Sequence, residues 1–167
     1  MRLFTGKSFL GACVLASVLA LTAAPAAAQS CSGTGCNGVN PAFSGCNGDL
    51  KILASTDLVD DAGIYVGWMN LVYSTTCQTV WTEVNSYWDS ASLTAEINTN
   101  GLAYGTYGTG LGIATAMIYD PTPSGASALG SANVYTTTIF DCPPYNGGEF
   151  GQCTPSNHYA SGNIVAP

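Results

Sequence analysis

Six of the seven cysteines, Cys31, Cys36, Cys46, Cys77, Cys142 and Cys153, follow an apolar N-terminal leader. An even set in an exported chain reads as a disulfide framework, which restricts the fold to one whose backbone brings those positions together in pairs. Six cysteines allow fifteen pairings, and spacing does not choose among them. The working expectation is Cys31–Cys36, Cys46–Cys77 and Cys142–Cys153. The last has the best local support, because Pro143-Pro144 and Gly147-Gly148 let the chain between the two cysteines turn back.

The leader has the parts of a secretion signal. Arg2 and Lys7 form a positive n-region, an apolar stretch covers 8–21, and Ala24-Pro25-Ala26-Ala27-Ala28 supplies small residues for cleavage after Ala28. Cys13 lies inside the apolar core rather than after it, where a lipidated cysteine would stand. The apolar core is short for a bilayer span, and no later segment is a candidate. The sequence therefore divides into a signal peptide, 1–28, and a single secreted β-rich domain, 29–167.

Cleavage removes Arg2 and Lys7, so the formal net charge of −7 falls by two to −9, and Lys51 remains as the sole Lys or Arg. So acidic a chain lacks the basic clusters that nucleic acid or an anionic membrane requires. Only 8% of residues are charged, and Gly, Ser, Thr, Asn and Tyr are plentiful. Such a composition suits strands better than helices, whose surfaces are normally covered by Lys, Glu and Arg.

Short strand-like runs recur. They cover 50–54, 64–74, 78–85, 92–98, 111–119 and 131–140, divided by turn signals such as Asp60-Asp61-Ala62-Gly63, Asn100-Gly101 and Pro121-Thr122-Pro123-Ser124-Gly125. The run 64–74 is apolar on both parities, as in a strand covered on both faces, by its own chain or by a second copy. The run 92–98 alternates cleanly, with Leu93, Ala95 and Ile97 on one side. Tyr104-Gly105-Thr106-Tyr107-Gly108-Thr109 reads as a twisted strand or hairpin tip. The one stretch with helix character is 86–95. The pattern predicts an all-β fold, a small disulfide-stabilised antiparallel β-sandwich or barrel with little helix.

Cys31-Ser32-Gly33-Thr34-Gly35-Cys36-Asn37-Gly38, Asn40-Pro41, Gly45-Cys46, Leu71-Val72-Tyr73-Ser74, Cys77 and Trp81 together resemble the YjfA-like family of small secreted bacterial proteins of unknown function (DUF2690). Ala116-Met117-Ile118-Tyr119-Asp120 is similar to a second strand of that family. The chain departs from the pattern at Val72, where relatives carry an arginine, and at Thr82-Glu83, another position that is basic in relatives. The resemblance implies a secreted β-rich domain and transfers no activity.

Chemistry-bearing residues are sparse. The chain has one histidine, His158, and no Gly-x-Ser-x-Gly elbow, so a serine triad is not indicated and His158 reads as a surface-loop residue. Ten scattered carboxylates do not define the facing pair that a glycan hydrolase needs. Asp57, Asp60 and Asp61 cluster near a turn without the spacing of a calcium loop. No catalytic residue, metal site or cofactor is assigned. Trp68 and Trp81 read as core. Tyr87, Trp88, Tyr104 and Tyr107 sit among Gly, Ser and Asn and are the candidates for stacking on a sugar ring.

The function expected is that of a secreted, non-enzymatic domain for binding or assembly at the cell surface or wall. Its expected partner is a cell-wall polysaccharide or another extracellular protein. The alternatives are a proteinase inhibitor presenting the loop between Cys142 and Cys153, or a glycan hydrolase.

Overall fold

A computed structural model of the chain describes residues 31–135, 140–142, 151–153 and 157–167. The strands are β1 (Leu50–Val59), β2 (Tyr65–Ser74), β3 (Thr79–Ser86), β4 (Ser92–Thr99), β5 (Leu102–Thr109), β6 (Gly112–Ala114), β7 (Ile118–Tyr119), β8 (Ser127–Tyr135), β9 (Phe140–Cys142), β10 (Gly151–Cys153) and β11 (Asn157–Val165). Every pairing is antiparallel. One sheet runs β1-β2-β3, with β6 and β7 sharing the far edge of β3; the other runs β11-β8-β4-β5, and β9 with β10 forms a ribbon. The two larger sheets face one another, with β1 packing on β11, β2 on β8 and β3 on β4. The all-β antiparallel fold read from composition and turn spacing is the one observed.

Between the sheets lies the main core. Leu58, Met69, Leu71, Val80 and Val84 from the first sheet meet Leu93, Ile97, Ala128, Ala132, Val134 and Ala160 from the second. Each fully buried Leu, Ile or Val contributes about 1.5–3 kcal/mol relative to exposure, which makes this face-to-face contact the main source of stability. Gly130 sets how closely the sheets approach. A Cβ there would lie 2.6 Å from Val84 Cγ2 and 2.7 Å from Met69 Sδ.

A second, smaller core explains why β2 is apolar on both faces. Val72 turns away from the main core and packs with Trp81, Met117, Cys36, Cys46 and Cys77. Its cover is the N-terminal cysteine segment, folded as three short 3-10 turns over Gly33–Cys36, Pro41–Phe43 and Cys46–Gly48. The cover is thus this chain's own. Two of the expected disulfides are present here, Cys31–Cys36 with Cα atoms 5.1 Å apart and Cys46–Cys77 with Cα atoms 5.6 Å apart. The expected Cys142–Cys153 bridge lies outside the described side chains, as does its loop; the leader also falls outside the described residues.

Several expectations need correction. The run 111–119 is two short strands rather than one, because its middle leaves β3 for the cysteine segment: Met117 N–H donates to Val39 O at 2.9 Å, and Gly38 N–H donates to Met117 O at 3.0 Å. No helix forms over 86–95; a turn leads directly into β4. Trp81 is buried as expected and donates its indole N–H to Glu83 at 2.9 Å. Trp68 is not core. It is half-buried on the outer face of the first sheet, its ring 5.1 Å from that of Tyr87. His158 is a buried strand residue on β11 rather than a surface-loop residue, because Asp60 receives its ring N–H. Among the described residues, no helix is long and apolar enough to cross a membrane.

Candidate functional site

The outer face of β11-β8-β4-β5 carries a shallow groove of about 660 Å³, within the size range of small-molecule sites. Alternation along β4 creates it: Leu93, Ala95 and Ile97 turn inward, which leaves Ser92, Thr94, Glu96 and Asn98 facing out. Register then aligns side chains across the four strands. Ser161 on β11 stands opposite Ser131 on β8, Ser131 opposite Thr94 on β4, and Thr94 opposite Tyr107 on β5. Four hydroxyl-bearing residues therefore cross the sheet in one row, about 4.8 Å apart from strand to strand. Thr94 and Ser131 share a 2.6 Å hydrogen bond between their hydroxyls.

The next row holds Asn163, Leu129, Glu96 and Gly105. Gly105 has no side chain to fill the space beside Glu96. Among the described residues the Glu96 carboxylate has no hydrogen-bond or ion-pair partner, while its backbone carbonyl accepts from Thr82 Oγ1 at 2.8 Å. The groove is lined at one edge strand by Tyr107, 88% exposed, and at the other by Tyr159, 55% exposed. Exposed aromatic rings flanking a row of hydroxyls give apolar stacking surface together with hydrogen-bonding groups, the combination that a pyranose face and its equatorial hydroxyls match.

The four candidate aromatics are dispersed. Tyr107 points into the groove, but Tyr104, three residues earlier on the same strand, turns inward and packs against the main core. Trp88 also packs against that core. Tyr87 belongs to a separate cluster on the first sheet, with its ring 5.1 Å from Trp68, 6.0 Å from Tyr65 and 6.3 Å from Trp88. Burial raises the Tyr87 pKa above the ordinary tyrosine value, and the nearby Asp57 carboxylate raises it further. No strand-like run is read beyond residue 140, so Tyr159 does not stand out in the sequence; it lines the groove with Tyr107.

The remaining polar clusters have structural partners. Asp60 accepts the N–H groups of Ala62 and Ile64 through Oδ1, closing the turn between β1 and β2, and pairs with His158 through Oδ2. Its oxygens are thereby committed, and Asp57 stands away on β1 opposite Trp68, so the three aspartates make no calcium loop. The sulfurs of Cys31, Cys36, Cys46 and Cys77 lie within 4.8 Å of one another. They are joined in two bridges, whereas a four-cysteine zinc site needs all four as free thiolates.

Residues 34–129 match the family described as "Protein of unknown function (DUF2690)". The chain belongs to this family. It is also similar to the uncharacterized protein YjfA of Bacillus subtilis (strain 168), 26% identical over 161 residues that cover 93% of this chain and 92% of that protein. No solved structure matches. Thr94, Glu96, Tyr107 and Leu129 fall within the family match; Ser131, Tyr159 and Ser161 lie beyond it. Of the positions where the sequence departs from the resemblance, Val72 is buried beneath the cysteine segment, Thr82 is buried between the sheets and Glu83 is half-buried.

Proposed function

We propose that this chain is exported, loses residues 1–28, and acts without catalysis as a binding domain at the cell surface or wall. Its ligand is a glycan, held on the outer face of β11-β8-β4-β5. The observation that carries the reading is the groove itself, in which Tyr107 and Tyr159 flank the hydroxyl row Thr94, Ser131 and Ser161. The export leader, the disulfides and the acidic charge all support an extracellular setting.

The test is retention of the purified mature protein on peptidoglycan, chitin, cellulose and whole cells, with a Tyr107→Ala/Tyr159→Ala variant alongside. Retention by one polymer that is lost in the variant supports the reading. No retention by any of them contradicts it and shifts the function to an extracellular protein partner.

A further inference from the structure

We infer that the glycan taken by this face carries free amines, and that Glu96 is the residue that selects it. The inference rests on the glycan reading above. Glu96 stands in the row next to the hydroxyl ladder, with its carboxylate unpaired among the described residues and with space at Gly105 beside it. The groove lining holds no lysine, arginine or histidine. Lys51, the one Lys or Arg beyond the leader, is on β1 of the other sheet.

An acidic residue in an otherwise uncharged groove has a selective effect that a neutral lining does not. It attracts an ammonium brought within a few ångströms, and it repels the carboxylates and phosphates of uronic-acid or phosphodiester polymers, which the chain's net negative charge repels as well. The rest of the groove offers hydroxyls, phenols, the Leu129 side chain and the Asn163 amide, none of them charged, and so cannot attract an ammonium as a carboxylate does. Discrimination therefore falls to Glu96. A polymer of amino sugars with free amines fits both parts, as its hydroxyls meet the Ser/Thr row while an amine meets the carboxylate.

Soluble oligomers of glucosamine and of N-acetylglucosamine, titrated calorimetrically in mildly acidic buffer where the amines are protonated, separate the outcomes. The wild type should bind the glucosamine oligomer about fivefold more tightly, the factor supplied by an ion pair of about 1 kcal/mol at an accessible site. That preference should shrink with added salt. Glu96→Gln, nearly the same size, should abolish the preference, while Tyr107→Ala should weaken binding of both oligomers. Equal binding of the two oligomers by the wild type, or a preference that survives Glu96→Gln, would overturn the inference and leave the glycan reading standing. Binding of neither oligomer, with no polymer retained, would overturn both.

Discussion

His158 donates its ring Nδ1–H to Asp60 Oδ2 at 2.7 Å, across 98 residues of sequence, with both side chains largely buried. Asp60 follows the last residue of β1 and His158 lies near the start of β11, so the pair fastens the edge where the two sheets meet. Removing the imidazole leaves a buried carboxylate short of one donor. His158→Ala should therefore cost about 1.5–3 kcal/mol, the range for hydrogen bonds to charged groups. His158→Asn, which keeps a donor, should recover part of the loss. Urea unfolding checks this; a midpoint equal to the wild type's in His158→Ala would show that the pair does not hold the seam.

Gly130 and Gly67 should tolerate no side chain, for different reasons. At Gly130 a methyl meets Val84 and Met69 side chains between the sheets, which have some freedom to shift, so Gly130→Ala should cost about 1–3 kcal/mol. At Gly67 the methyl meets the backbone carbonyl of Asn85 on the adjacent strand, which cannot move without breaking the β2–β3 ladder. Gly67→Ala should be the more damaging of the two by thermal melting, and the reverse order would contradict the packing described.

The Cys46–Cys77 bridge closes a loop of 31 positions between the cysteine segment and the start of β3. On the chain-entropy model its removal should cost about 3–4 kcal/mol. The Cys31–Cys36 bridge, with a separation of 5, constrains far less chain and should cost less. Paired Cys→Ser variants compared by denaturant titration test this order.

Tyr73 and Tyr87 should ionise late. Burial is the main cause in each, supplemented by Asp120 and then Tyr119 for Tyr73, and by Asp57 for Tyr87. A folded pKa above the unfolded value means that the folded chain holds the proton more tightly. The resulting stability is present in full below the ordinary tyrosine value of 10.0 and is lost as pH rises through the higher folded value. In an alkaline titration of phenolate absorbance, Tyr73→Phe and Tyr87→Phe should each remove a late-titrating group. Loss of an ordinary-range group instead would contradict the assignment.

Much of this architecture is legible in local pattern. The alternation of residues 92–98 gives both the buried and the outer face of β4, and Asn100-Gly101 marks the hairpin to β5, with φ values of 52° and 73°. The doubly apolar run in β2 indicates two covering layers, although not what the second layer is. What is missed depends on distant partners. β11 contains Ser161-Gly162-Asn163 and becomes a strand through its ladder with β8, and the break after β6 is made by Val39 and Gly38. Tyr104 and Tyr107 look like one platform by proximity, but a spacing of three in a strand puts them on opposite faces. Tyr159 enters the site only once register places β11 beside β8.

The central claim, that the outer face of the second sheet is a glycan site, is tested most directly by amide-shift mapping of the labelled mature protein. The probe is a soluble oligosaccharide of whichever polymer retains the protein. The account predicts shifts concentrated at Thr94, Glu96, Thr106, Tyr107, Ser131 and Ser161, with Tyr65, Trp68 and Tyr87 unaffected. Shifts centred on the Tyr65–Trp68–Tyr87 cluster, or no saturable shifts at all, would contradict it.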